Sequence, residues 1–181
     1  MPRRIFIWAA IVSLCLDQIS KVLAYGMLTE HVSYRLIGNL VRLSLTTNSQ
    51  GLFGMSYGPP VIYFILPVLG IGLVLYFALR TRDKWLTIAY GLVLGGAVGN
   101  LVDRVRLAGR VIDFIDIGVR GWRWYTFNLA DLWVVVGVIL LLFREFFGPR
   151  AKPQSTTDRP APDGLKDETV KSVESADGTG Q

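Results

Sequence analysis

Four stretches of this chain are apolar for long enough to cross a lipid bilayer, and that limits its fold more than any other feature. They run from about Ile5 to Met27, Pro60 to Leu79, Leu86 to Val102 and Leu129 to Phe147. Each has roughly the 17–25 residues a helix needs to cross ~30 Å of hydrocarbon. Pro67 falls inside the second as an expected kink, which packing between membrane helices tolerates. Of the 181 residues 51% are hydrophobic and 18% charged, and the apolar excess lies before residue 149. That distribution disfavours a soluble globule, a disulfide-stapled domain and a disordered chain. A lone cysteine (Cys15) and a lone histidine (His31) exclude an intramolecular disulfide and a Cys/His metal cluster. The expected fold class is an all-α polytopic membrane protein with four transmembrane helices.

The first apolar run reads as a retained helix rather than a cleavable leader. It is long, contains Asp17 and Lys21, and lacks a clear small-x-small cleavage site. Four spans put both termini on one side, together with Arg3, Arg4, the Arg80–Lys84 loop, Arg144, Arg150 and Lys152. The positive-inside rule makes that side cytoplasmic. Arg104, Arg106, Arg110, Arg120 and Arg123 then fall on the outer side and require another explanation, such as lipid headgroups or a site. The net charge of +5 therefore reads as a topology and lipid signal, with no nucleic-acid partner expected.

Two outer loops are expected, at about residues 28–59 and 103–127. In the first, Val41, Leu43 and Leu45 alternate with Arg42, Ser44 and Thr46, which predicts a small β-element on the membrane surface. In the second, Trp122, Trp124 and Tyr125 suit an interfacial aromatic belt. Residues 149–181, rich in Pro, Ser, Thr, Asp and Gly, read as a disordered tail after a four-helix domain at 1–148.

Ionisable groups within spans cost about 2.5–3.5 kcal/mol each on insertion scales and so point to function. Asp17 and Lys21, four apart on one helix, share a face. They read either as a structural ion pair with Lys21 snorkelling outward or as groups close to a substrate. Gly95 and Gly99 make a small-xxx-small face for close helix approach, with Asn100, Asp103 and Arg104 just beyond it. Asn128 and Asp131 open the fourth helix, where capping is the plain structural explanation. Cys15 and His31 lack the context of a nucleophilic triad, and no phosphate loop or metalloprotease motif occurs. What remains chemically is a pair of carboxyls sharing one proton, one activating water and the other hydrogen-bonding a scissile carbonyl. Asp103, Asp113, Asp116 and Asp131 all lie near the outer face, and spacing does not choose among them.

The ordered motifs resemble those of bacterial lipoprotein signal peptidase, signal peptidase II. Asp17-Gln18-Ile19-Ser20-Lys21 is similar to the family's D-Q-x-S-K box, and Gly95 through Arg104 to G-G-A-x-G-N-x-x-D-R. Val111-Ile112-Asp113-Phe114 resembles V-x-D-F, and Phe127-Asn128-Leu129-Ala130-Asp131 resembles F-N-x-A-D. One box departs: in Asn48-Ser49-Gln50-Gly51-Leu52-Phe53, Gln50 stands where N-x-G-x-x-F has glycine. The resemblance implies a cofactor-free, metal-free aspartyl endopeptidase of the bacterial inner membrane, with a periplasmic β-element and site. It would act as a monomer among membrane lipids, cleaving diacylglyceryl-modified prolipoproteins before the lipidated cysteine. By residue, it implies Asp113 and Asp131 as the catalytic dyad and Asp103 as support. Asn48, Asn100, Arg104 and Asn128 would position substrate, while Asp17 and Lys21 brace the site.

A transporter or assembly scaffold is the competing class, but no inverted repeat appears in the sequence. A presenilin-like protease would carry a G-x-G-D signature, which is absent. A chain ended at Gly148 is expected to keep the turnover of the full chain; loss of most of the activity would show that the tail takes part.

Overall fold

The computed structural model describes residues 2–49, 59, 61–119 and 121–148. The displaced-glycine turn (Gln50, Gly51, Phe53), Pro60, Arg120 and the 149–181 tail lie outside the described residues. Four helices and a four-stranded antiparallel sheet follow in the order α1 (Pro2–Met27), β1 (Ser33–Ile37), β2 (Val41–Asn48), α2 (Ile62–Arg80), α3 (Lys84–Arg106), β3 (Val111–Val119), β4 (Trp122–Arg123) and α4 (Leu129–Phe147). Among the described residues α1, α2 and α3 are long and apolar enough to cross a membrane. Helix α4 has 19 residues and carries Asp131 near its start and Arg144 and Glu145 near its end.

The helices are built inside out relative to a water-soluble bundle. On α1, Ile7, Trp8, Ile11, Ile19, Val22 and Leu23 are exposed, whereas Ser13, Asp17, Lys21 and Ala24 are buried. The i, i+4, i+8 spacing of the buried positions forms one small and polar stripe. Such a helix suits a lipid surround, where apolar side chains need no burial and close contact is made by small residues. Helix α3 is the centre, packing on α1, α2 and α4. A Cβ on Gly95 would lie 2.5 Å from the Ala10 carbonyl oxygen of α1, and one on Gly96 2.4 Å from the Ala130 carbonyl oxygen of α4. At the opposite end from the sheet, Asp83 caps α3 by accepting from the Trp85 and Leu86 amides at 2.8 and 3.1 Å. Its second oxygen accepts from Arg144 Nε of α4 at 2.8 Å, joining the start of α3 to the end of α4.

Two expectations need correcting. The β-element is not confined to the first loop: β3 and β4 come from the second, and the strands run β1-β2-β3-β4. Backbone pairing of Thr46 with Asp113 and Asn48 with Val111 thereby stitches the loops together. The V-I-D-F-I-D run supplies β-branched residues to both faces of β3, which is buried nearly throughout. Its Ile112 and Phe114 join Leu45 of β2 and Ala24 of α1 in the apolar core that seats the sheet on the helices. Second, α3 continues beyond Val102 to Arg106, so Asp103 and Arg104 belong to a helix rather than to a loop.

Adding a methyl group at the α3 crossings should overpack them. Gly95→Ala and Gly96→Ala are each expected to cost about 1–3 kcal/mol, read as a lowered thermal midpoint in detergent. Gly72→Ala, with open space around it, is expected to leave the midpoint unchanged.

Candidate active site

The site is assembled where α1, α3, α4 and the sheet meet. Its foundation is an ammonium group. Lys21 Nζ lies 2.9 Å from Asp17 Oδ2 and 2.9 Å from Asp103 Oδ2, and all three side chains are at most 3% exposed. Lys21 therefore does not snorkel outward; it is the cation that faces both buried acidic side chains. Both carboxylates also bind backbone or amide donors. Asp17 Oδ1 accepts from the Ala130 amide of α4 at 2.8 Å, and Asp103 Oδ2, the oxygen that faces Lys21, also accepts from the Ile112 amide of β3 at 3.2 Å. Gln18 spans the pair, donating to Asp17 Oδ2 at 3.0 Å, the Gly99 carbonyl at 3.2 Å and Asp103 Oδ1 at 3.3 Å. No periodicity marked Gln18; only its place between Asp17 and Lys21 did. Gly99 is where Asp17 enters α3, since a Cβ there would lie 2.4 Å from Asp17 Oδ2.

From Lys21 a chain of amides leads to two further carboxyls. Lys21 Nζ donates to Asn100 Oδ1 at 2.9 Å, and Asn100 Nδ2 donates to Asp131 Oδ1 at 2.8 Å. Asn128 is wholly buried and forms a capping box at the start of α4. Its Oδ1 accepts from the Asp131 amide at 3.0 Å, and its own amide donates to Asp131 Oδ2 at 3.3 Å. Asn128 Nδ2 then reaches Asn100 Oδ1 at 3.0 Å and Asp113 Oδ1 at 2.7 Å. The cap expected from sequence is present, and the same atoms tie Asp113 to Asp131.

The four aspartates that spacing left open thus divide into two kinds. Asp103 is engaged by Lys21, and Asp116 by Arg123, whose Nε lies 2.6 and 2.8 Å from its two oxygens. Asp113 and Asp131 instead share one cleft of about 310 Å³ with Asn48, Asn100 and Arg104. Below them its walls are apolar, with Leu66 of α2, Val93 and Ala97 of α3 and Val134 of α4. A second cleft of about 300 Å³ meets Asp113 from the sheet side, bordered by Thr46, Thr47, Asn48, Tyr125 and Thr126. Arg104 is buried, with Nη1 donating to the Asn100 carbonyl at 3.2 Å and its Nε without a hydrogen-bond partner. Cys15 is exposed on α1, and His31 sits at φ 67° in the exposed turn before β1; neither lines either cleft.

Burial, and after it the neighbouring Asp131, pushes the Asp113 carboxyl up to about 7, against hydrogen bonds from Asn48 and Asn128 and the Lys21 charge. A carboxyl poised there can carry a proton at neutral pH, which suits acid–base hydrolysis.

The family model described as signal peptidase (SPase) II matches residues 9–147. This chain belongs to the signal peptidase II family. It is 39% identical over 157 residues to a lipoprotein signal peptidase of Mycobacterium leprae (strain Br4923), covering 81% of this chain and 75% of that one. A lipoprotein signal peptidase of Psychromonas ingrahamii is 32% identical over 154 residues, covering 82% of this chain and 88% of that one. A solved bacterial membrane enzyme superposes with a TM-score of 0.71 at 27% identity, covering 82% of this chain and 93% of that one. In this signal peptidase II chain, all nine residues singled out by the motifs lie in or beside one buried network.

The Asp113 carboxyl is expected to titrate at about 7, against an ordinary aspartate value of about 3.9, when followed by infrared spectroscopy. Asp131→Asn should move that midpoint down, because it removes the negative neighbour. A midpoint at the ordinary value in the unaltered protein would overturn the burial argument.

Proposed function

We propose that this chain is a membrane aspartyl endopeptidase that removes signal peptides from diacylglyceryl-modified prolipoproteins, with Asp113 and Asp131 as its dyad. The observation that carries the assignment is two carboxyls joined through Asn128 at the head of an apolar cleft. Membership of the signal peptidase II family makes the transporter and scaffold readings unnecessary. The apolar walls suit the hydrophobic stretch of a signal peptide entering sideways from lipid. Its scissile bond then comes to rest between the carboxyls, before the lipid-bearing cysteine. One carboxyl takes a proton from water as the water oxygen attacks the carbonyl carbon, and the other supports the developing oxyanion by hydrogen bonding. The partnerless Nε of Arg104 offers a donor to a substrate carbonyl, and Asn48 borders both clefts from the sheet.

The topology follows the same reading. All four helices span the inner membrane, with both termini cytoplasmic. Support comes from α4, whose Leu132, Val135, Val138, Ile139, Leu142 and Phe143 are exposed like the lipid faces of its neighbours. The Asp83–Arg144 contact puts the basic α2–α3 loop and the end of α4 at one level, opposite the sheet. The site then faces the periplasm, and two of the outward arginines have local duties, Arg104 in the cleft and Arg123 on Asp116. Trp122, Trp124 and Tyr125, exposed and in edge-to-face contact, suit the headgroup region beside the site. The chain is proposed to act as a monomer. Residues 1–148 constitute the peptidase and 149–181 a cytoplasmic tail.

Asp113→Asn and Asp131→Asn are each expected to reduce cleavage of a lipidated prolipoprotein by roughly 10³-fold or more while the protein still inserts and folds. The check is a gel-shift assay with purified protein, the unlipidated precursor serving as the uncleaved control. Near-normal turnover by either variant would reject the dyad.

A further inference from the structure

The proposed mechanism leaves open which carboxyl holds the proton, and the direction of the amide chain bears on that question. An amide side chain can present either its oxygen or its NH2, so its orientation is set by neighbours that can only donate or only accept. Two such neighbours occur here. The Lys21 ammonium, a donor only, faces Asn100 Oδ1 at 2.9 Å, so the Asn100 NH2 must face Asp131 Oδ1. The backbone N–H of Asp131, also a donor only, faces Asn128 Oδ1 at 3.0 Å, so the Asn128 NH2 must face Asn100 and Asp113.

We infer that Lys21 is a positioning residue for the dyad: by orienting Asn100 it makes Asp131 the carboxylate and Asp113 the proton-bearing carboxyl before substrate arrives. Asp131 receives an N–H at each oxygen, from Asn100 Nδ2 at 2.8 Å and from the Asn128 backbone at 3.3 Å. Two N–H donors favour its anionic form over its acid in the resting site, and each oxygen keeps a second lone pair with which to take a proton from water. Asp113 takes its contacts from the amides of Asn128 and Asn48. The Asn48 amide can turn its oxygen toward a protonated carboxyl, which a backbone N–H cannot do. The raised Asp113 titration agrees with this arrangement without being needed for it. The charged groups around the dyad are Asp17 and Lys21 of α1 and Asp103 and Arg104 of α3, with Tyr63 of α2 lining the same cleft.

The inference rests on the proposed peptidase reading and gives each carboxyl a step. Water gives a proton to Asp131 as its oxygen bonds the scissile carbonyl carbon, while the Asp113 proton passes to the carbonyl oxygen. On collapse the C–N bond breaks, the proton on Asp131 goes to the departing nitrogen, and a hydroxyl proton of the intermediate returns to Asp113. The products are a carboxylic acid and the amino group of the cysteine, and both aspartates are restored.

Infrared difference spectra of the full chain in lipid nanodiscs, taken about one pH unit below the Asp113 midpoint measured for each protein (for Asp113→Asn, that of the unaltered protein), test the assignment without substrate. A carboxylic-acid C=O band is expected in the unaltered protein, should persist in Asp131→Asn and should vanish in Asp113→Asn. The reverse pattern would overturn the inference. Asn100→Asp keeps an oxygen for Lys21 but removes the N–H from Asp131. It is expected to add a carboxylic-acid band and lower kcat about 100-fold with KM within about threefold; an unchanged kcat would refute the relay. Lys21→Gln, which can donate or accept, should have the same effect, and if it does not fold the Asn100→Asp result stands alone. A protein with the expected bands that cleaves no prolipoprotein would refute the functional reading and leave the proton assignment intact.

Discussion

The bridge from Lys21 to Asp17 and Asp103 is the contact on which the rest of this structure depends. Each of the three charges would be prohibitive alone in a membrane interior, and together they are tolerable only at close range with their remaining valences filled. That requirement brings in other elements. Asp17 needs the first turn of α4, Asp103 needs the first residues of β3, and Gln18 needs the α3 backbone at Gly99. One ammonium thus sets the relative positions of two helix ends and a strand. Removing it would leave two carboxylates buried without a cation, a larger loss than that of a single surface ion pair.

Close helix approach is the second constraint, and it serves the first. Glycine at positions 95 and 96 brings α1 and α4 onto α3 at backbone contact, and glycine at 99 makes room for the Asp17 carboxyl. At ordinary helix spacing Lys21 of α1 would not meet Asn100 and Asp103 of α3, nor Asn100 the Asp131 of α4. The packing face and the polar network are therefore one structure, in which small residues give the separation and polar residues use it.

Much of this was legible in the sequence, for identifiable reasons. Lipid imposes length and hydropathy so strongly that the helices of α1 to α4 could be read from composition. The shared face of Asp17 and Lys21 and the cap at Asn128 and Asp131 followed from local spacing. The destination of Lys21 did not, because its second carboxylate lies 82 residues away on another helix. Nor did the second half of the sheet: β3 lacks polar alternation because it is buried on both faces, and a short continuous apolar run carries no period. Spacing alone did not separate Asp113 and Asp131 from Asp103 and Asp116, since the cations that engage the latter two become visible only in the fold.

The capping box of α4 has a consequence for how such an enzyme is made. The atoms that terminate the helix, Asn128 Oδ1 and Asp131 Oδ2, belong to the residues that hold the two cleft-facing carboxyls together. Capping of α4 and alignment of the two carboxyls are thus one arrangement of the same residues. With α4 uncapped or the two loops unpaired, Asp113 and Asp131 are not held together, so order at the helix start and order in the cleft stand or fall as one.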